Sequence, residues 1–253
     1  MIYLGIKGFV IDLDGTLYRG DSPITGASEF MNWLQKKQRP FVLATNCPSR
    51  TPEQIVEKLD RLGIKTRTNQ ILTSGISAAR YLYSHGFRRV FLVGESAAQQ
   101  ALEQHGIIVT QQRPQCVLVA WDRSFSYSTL NCTLRFLMEG LPLFCTNSDA
   151  TIPDGDTYVA HTGAICASVE TASGKKAICL GKPHSEMAKS AIQMLGVAAQ
   201  EICVIGDSMD IDIRFARQNN MKSVLSLTGR PQNLLTNHPD RTVRTLDELI
   251  DKI

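Results

Sequence analysis

The chain has 253 residues, 43% of them hydrophobic and 20% charged, with a formal net charge of +3. This is the profile of an ordinary globule with room for one large domain or two modest ones. So small a charge, spread along the chain, argues against nucleic-acid or membrane-surface partners, and no run of about 18 uncharged apolar residues predicts a transmembrane helix. The first residues lack a basic stretch followed by an apolar core, so no signal peptide is expected. The seven cysteines are an odd number and contain no C-x-x-C pair. Cys116, Cys179 and Cys203 lie in or beside apolar, strand-like runs and read as reduced core thiols of a cytoplasmic protein. No clustered ligand set predicts zinc.

In chain order, Gly8 to Ile11 reads as a buried strand that runs directly into Asp12-Leu13-Asp14-Gly15-Thr16. A helix is predicted around Ala27 to Lys37, and Pro40 to Thr45 as a second buried strand. Thr51-Pro52-Glu53-Gln54 is a helix start with a capping box, and Gly63 ends the apolar stripe of Ile55, Val56, Leu59 and Leu62. A further unit follows at Ile71 to Ser84. Arg88 begins what reads as a separate block. Strands are predicted at Val90 to Val93, Cys116 to Trp121 and Pro142 to Thr146, and helices at Glu95 to His105 and Tyr127 to Glu139. Gly155 to His161 reads as loop or short strand, and Gly163 to Ser173 as helix. The first pattern then resumes. Gly181-Lys182-Pro183 opens a helix to Gly196, Glu201 to Gly206 is a buried strand ending at Asp207, Asp212 to Gln218 is helical, and Lys222 to Leu227 is the final strand. The fold class is α/β, a parallel-sheet core with a smaller α/β domain inserted into it. The core takes residues 1–80 and 180–253, the insertion 81–179, with hinges near 78–88 and 174–181.

Four polar clusters fall at predicted strand ends or helix starts: Asp12 with Asp14, Thr45 with Asn46, Lys182, and Asp207 with Asp212. In a parallel sheet all strand C-termini lie on one edge, so these clusters can meet in one crevice. Two carboxylates held close need positive charge, and a hard divalent cation such as Mg2+ takes oxygen ligands alongside phosphate. A threonine hydroxyl, a lysine ammonium and helix-start N–H groups can cradle phosphate oxygens. One carboxylate can attack phosphorus while a second moves protons.

These residues resemble the haloacid dehalogenase superfamily of aspartate-nucleophile phosphatases. Asp12-Leu13-Asp14-Gly15-Thr16 matches its first motif, Thr45 its second, Lys182 its third, and Gly206-Asp207 with Asp212 its fourth. The likeness is nearest to the NagD-like branch with an inserted α/β cap, through Ala44-Thr45-Asn46, Trp121 to Tyr127, Thr146-Asn147-Ser148-Asp149, Gly163-Ala164-Ile165 and Gly181-Lys182-Pro183. The resemblance implies a Rossmann-like core. It implies Asp12 as nucleophile, Asp14 as general acid/base, and Thr45 and Lys182 as binders of the transferring phosphoryl. Mg2+ would be held by the Asp12 side chain, the Asp14 main-chain carbonyl and Asp207, steadied by Asp212. Asn46, Ser208, Asn147 and Asp149 are the expected substrate-binding residues, with the loop from Gly155 to Gly163 setting specificity. The implied substrate is a small phosphorylated metabolite, of the nucleoside monophosphate or sugar phosphate type, and the implied assembly is a homodimer formed through the cap.

Two other readings stay open on the residues alone. A phosphotransferase or mutase would pass the phosphoryl to a sugar. A phospho-receiver would store it, although Asp14 supplies a base for hydrolysis and the large insertion has no place in a receiver. His161 stands where the NagD-like branch more often has a small residue. Trp121 reads as an anchor of the inserted domain's core, and Cys47 as a wall residue.

Overall fold

The computed structural model describes residues 5–154, 157–228 and 238–252. The chain divides into two compact units: Met1–Thr45, Pro52–Leu72 and Lys182–Ile253 form one, Asn46–Thr51 and Thr73–Gly181 the other.

The first unit begins with β1 (Gly8–Ile11), a short ribbon of β2 (Tyr18–Arg19) and β3 (Ser22–Pro23), helix α1 (Ala27–Lys36) and β4 (Phe41–Thr45). Helix α2 (Pro52–Arg61) and β5 (Ile71–Thr73) complete its first half. All residues of β1 and β4 are buried, as unbroken apolar runs require of strands covered on both faces.

The second unit continues with α3 (Ser74–Ser84), β6 (Arg89–Val93), α4 (Ser96–Gln104), β7 (Ile108–Val109), β8 (Cys116–Val119), α5 (Tyr127–Met138) and β9 (Leu143–Cys145). Then come β10 (Thr151–Asp154), β11 (Thr157–Ala160), α6 (Thr162–Ser173) and β12 (Ile178–Cys179). Ala78, Ala79 and Leu82 of α3 share a core with Val90, Leu102 and Ile107, so the whole helix belongs to the insertion. The division therefore falls at Thr73 rather than among later residues. The chain then returns to the first unit with α7 (Ser185–Leu195), β13 (Ile202–Gly206), α8 (Arg214–Gln218), β14 (Lys222–Ser226) and β15 (Arg241–Val243).

The first unit's sheet has the order β15-β14-β13-β1-β4-β5, and β1 pairs in parallel with both β13 and β4. From β1 the chain moves outward to β4 and β5, and from β13 in the opposite direction to β14 and β15. The C-terminal ends of β1 and β13 thus flank the topological switch point, where open α/β sheets bind ligands. Phe9 meets Phe30 of α1 edge-to-face at 6.4 Å within the core beneath. Burying one such ring contributes roughly 1.5–3 kcal/mol.

The second unit has its own parallel sheet, ordered β12-β9-β8-β6-β7, with β10 and β11 as a separate antiparallel ribbon. Two features depart from the sequence reading. Lys222 to Leu227 is not the last strand, because β15 pairs beyond it. The helix after Lys182 starts at Ser185, not at the Gly-Lys-Pro triplet. Of the segment read as loop or short strand, Gly155 and Asp156 lie outside the described residues and Thr157–Ala160 is a strand, as that reading allowed. None of the seven cysteines forms a disulfide. Three of them, scattered in sequence, meet in space: the Cys145 thiol contacts those of Cys166 and Cys179, and these contacts with burial raise its pKa far above the usual thiol value. Among the described residues no helix is long and apolar enough to cross a membrane.

Candidate active site

Asp12 leaves β1 with its N–H donating to the Ile205 carbonyl at 2.9 Å, so the strand register carries it to the sheet edge beside β13. The chain then turns tightly. Leu17 N–H donates to Leu13 O at 2.8 Å and Gly15 N–H to Tyr18 O at 2.8 Å. Gly15 has φ of +87°, and a Cβ there would sit 2.3 Å from Asp207 Oδ2. At Gly206 a Cβ would meet Asp212 Cγ at 2.3 Å. Both glycines exist because acidic side chains pass where a methyl group would be. The Gly-Asp pair that ends β13 is thereby explained physically. Asp212 lies in a single π-type turn (Met209–Ile213) capped by the Ser208 hydroxyl, an irregularity common at functional sites.

One oxygen each of Asp12, Asp207 and Asp212 lies within 4.8 Å of the other two. Lys182 closes the cluster. Its ammonium donates to Asp12 Oδ1 at 2.5 Å and to Asp212 Oδ1 at 2.7 Å, and its side chain is only 2% exposed. Burial, then the charges of Asp212 and Asp207, push Asp12 well above the ordinary carboxylate range against the pull of Lys182. Burial, followed by Asp212, raises Asp207 to about 6. For Lys182 burial works against the charge, but Asp12 and Asp212 outweigh it and hold the ammonium above its usual value. Three carboxylates around one buried cation leave net negative charge in a desolvated place. That is the electrostatic demand a divalent cation with hard oxygen ligands would satisfy.

Asp14 has a different environment. It is exposed, and its Oδ2 accepts a hydrogen bond from Tyr18 OH at 3.1 Å. Its carboxylate is not a member of the acidic cluster. Thr45 ends β4 and is 4% exposed. Thr16, part of the first motif but given no role from sequence, is fully buried. Its hydroxyl lies 3.3 Å from Asp207 Oδ1 and 3.5 Å from Asp12 Oδ2, so it orients both acids. Its position four residues after Asp12 in a tight turn was the available signal. Ser208 spends its hydroxyl on the Ile211 N–H and its own N–H on Asp212 Oδ2 at 3.2 Å.

The remaining expected substrate residues lie in the second unit. Asn46, adjacent to Thr45, belongs there, and its amide donates to Asp149 Oδ2 at 3.0 Å. Asn147, expected to bind substrate, is fully enclosed. Its amide nitrogen donates to Asn46 O at 2.6 Å and to Thr162 Oγ1 at 3.3 Å, and its oxygen accepts from Asp149 N–H. With donors and acceptor spent internally, Asn147 ties the 46–51 segment into the unit instead.

His161, at the N-cap of α6, is 1% exposed; among the described residues neither ring nitrogen has a hydrogen-bond partner of good geometry, and the Asp149 main chain nearby only partly offsets its burial. His161 packs 4.8 Å from the Trp121 ring, which is anchored by Nε1–H to Ala160 O at 2.9 Å. Burial pushes its pKa down from 6.5 to about 4. The unfolded chain then binds the extra proton between those values. Stability present above pH 6.5 should fall as pH drops toward 4, by up to about 3 kcal/mol. Because Asp207 contributes with the opposite sign in an overlapping range, the readout is a difference: denaturant unfolding should show native stability falling relative to His161→Phe as pH drops from 6.5 to 4, and a difference that does not change with pH would refute the assignment.

Two family models match: a haloacid dehalogenase-like hydrolase model over residues 9–108, and a HAD-hydrolase-like model over residues 179–249. The chain is 28% identical over 249 residues to the 5'-nucleotidase YutF of Bacillus subtilis, covering 98% of this chain and 97% of that one. It is also 28% identical to the ribonucleotide monophosphatase NagD of Escherichia coli K12 over 88% of both chains. The solved NagD structure superposes with a TM-score of 0.92 at 27% identity, covering 98% of this chain and 99% of NagD. A double mutant of the thermostable NPPase from Geobacillus stearothermophilus is 30% identical, with a TM-score of 0.91 over 96% of this chain and 98% of that one.

Proposed function

Because the chain belongs to the haloacid dehalogenase-like hydrolases, among their NagD-like phosphatases of phosphate monoesters, we propose that it works with Mg2+ through an aspartyl phosphate on Asp12. The observation that carries this reading is the Lys182 ammonium bridging Asp12 and Asp212, with Asp207 in reach of both.

In the first half-reaction an Asp12 carboxylate oxygen attacks phosphorus, and the phosphorus–ester oxygen bond breaks. Asp14, ionisable and held by Tyr18 OH, gives its proton to the departing alkoxide. In the second, Asp14 takes a proton from water as the water oxygen attacks phosphorus. The bond to Asp12 then breaks and inorganic phosphate leaves. Lys182 keeps Asp12 in place and offsets charge on the phosphoryl oxygens, and Thr45 donates to one of them. Asp12 and Asp207, with the Asp14 main-chain carbonyl and Asp212 behind, would hold Mg2+. The bound ion would supply the positive charge that lets phosphate and carboxylates share the site.

The substrate class is a small phosphomonoester, a nucleoside monophosphate or a sugar phosphate. The names of YutF and NagD support the former. A panel of phosphorylated metabolites should show Mg2+-dependent phosphate release, abolished by EDTA and restored by Mg2+. No release from any member would overturn the substrate class, and release indifferent to EDTA would overturn the metal. Phosphate that accumulates as a sugar ester when sugar is added would favour the phosphotransferase reading.

A further inference from the structure

The first unit carries a second polar concavity on the opposite edge of its sheet. It is lined by Gln35 near the end of α1, Arg39 just ahead of β4, and Lys65, Thr66, Arg67 and Gln70 in the connection that leads into β5. Because β4 starts here and ends at Thr45, the cavity and the acidic cluster occupy opposite edges of the sheet. Its volume of about 430 Å3 lies within the range of small-molecule sites, roughly 300–1,000 Å3.

The lining is one-sided in charge: three cations and no carboxylate. Lys65 has an ion pair with Asp60 at 3.2 Å, but both side chains are largely exposed and such a pair holds it weakly. Arg67 makes no ion pair among the described residues; its main-chain N–H donates to Gln70 Oε1 at 3.0 Å. Arg39 donates from one terminal nitrogen to Ile6 O at 2.6 Å and lies over the Phe9 ring, 5.3 Å from its centre. Its Nε, however, is buried without an acceptor among the described residues, and so is the hydroxyl of Thr66. Buried polar groups in native proteins almost always find a partner, so two orphans lining one cationic cavity ask for one. The walls are already fixed, because the Gln35 amide donates to the Lys65 carbonyl and ties α1 to the loop. Helix-dipole compensation does not account for the cluster. Lys36 and Lys37 already stand at the end of α1, and Lys65 and Arg67 belong to a different connection.

We propose that this cavity is a second ligand site, for a small metabolite that presents two or more negative charges on phosphate or carboxylate oxygens. Arg67 and Lys65, exposed at the rim, would neutralise their charge, and Thr66 and Arg39, whose orphaned atoms are closed to solvent in this structure, would turn outward to donate to those oxygens. The proposal is independent of the phosphatase reading, since none of its residues belongs to the acidic cluster.

The test is a nuclear magnetic resonance titration of the full chain in EDTA. Without metal the three carboxylates repel polyanions and keep them from the catalytic edge. Inorganic pyrophosphate and citrate serve as separate probes. Saturable shifts of the Arg39 and Thr66 to Gln70 main-chain amides are expected with at least one; pyrophosphate alone would identify a phosphate ligand, and citrate alone a polycarboxylate. Arg67→Glu should weaken binding by about tenfold or more, whereas Arg61→Glu, on exposed α2 outside the cavity, should leave it within about twofold. Thr66→Val, with no charge change, should also weaken it. Metal-dependent turnover of p-nitrophenyl phosphate should be unchanged in Arg67→Glu. Absence of saturable shifts, or equal losses in Arg61→Glu and Arg67→Glu, would overturn the site.

Discussion

Asp12→Asn is expected to lower the rate of phosphate release by about 10^4-fold or more, the scale of removing a covalent nucleophile. The substitution keeps the shape of the side chain and one oxygen to accept from Lys182, so the lesion is chemical. It should not unfold the protein. In the native site Asp12 is forced upward in pKa by burial and by Asp212 and Asp207, so its charge is held at a cost that the amide does not carry. Thermal unfolding in EDTA should therefore change by only a few degrees, in either direction. A folded variant that retained full activity would move the nucleophile elsewhere. Asp14→Asn makes the contrast. That side chain is exposed and accepts from Tyr18 OH outside the acidic cluster, so its loss should slow turnover by about 10^2- to 10^4-fold while binding of a phosphate analogue persists. Single-turnover kinetics with acid quench would separate the two, because only the Asp14 variant should still form a trapped phosphoenzyme.

The geometry of the acidic cluster was legible in the sequence for a specific reason. Asp12, Lys182 and Asp207 all stand where an apolar run stops, with Asp212 in the turn after Asp207, and a parallel sheet gathers strand ends on one edge. What strand-end logic does not report is side-chain direction. Asp14 is two residues from Asp12 and would share its face if the chain stayed extended, yet the turn around Gly15 sends its carboxylate to Tyr18. Asn147 likewise comes just after a strand, but its amide turns inward to Asn46 and Thr162. On the second unit's side of the division between Thr45 and Asn46, the Asn46 carbonyl accepts from Asn147 and from the Ser74 hydroxyl at 2.7 Å. Neighbours in sequence carry no trace of that division. Two- and three-residue strands such as β7, β12 and β15 are too short to show a period and emerge only from pairing. Thr16 was visible as a letter in the motif, but its role appears only when Asp207 arrives from 191 residues away.

Lys182→Met should destabilise the protein by about 3–5 kcal/mol in EDTA near neutral pH, the range for breaking a buried ion pair from one side. Methionine fills much of the same volume, so the loss is of charge rather than packing. The ammonium is 2% exposed and contacts two carboxylates at 2.5 and 2.7 Å; without it Asp12, Asp207 and Asp212 face one another with no internal cation. The pH dependence gives the diagnosis. Asp207 in the folded protein titrates at about 6 against 3.8 ordinarily, so the folded state holds more protons between those values and stability falls as pH rises through that window. Removing Lys182 takes away the interaction that pulls Asp12 and Asp207 downward, so the window extends to higher pH. The penalty in Lys182→Met should therefore be smallest near pH 4, where the raised acids Asp12 and Asp207 hold protons, and largest above neutrality. Mg2+ should raise the unfolding midpoint of this variant more than that of the native protein, because the ion supplies charge the side chain no longer does. Lys182→Arg should not restore stability, since a planar guanidinium needs more room than an enclosed ammonium leaves. Urea unfolding at several pH values, with and without Mg2+, decides the matter. A loss below about 1 kcal/mol at alkaline pH in EDTA would show that the three acids are not ionised together there, and the electrostatic account of the site would fall with it.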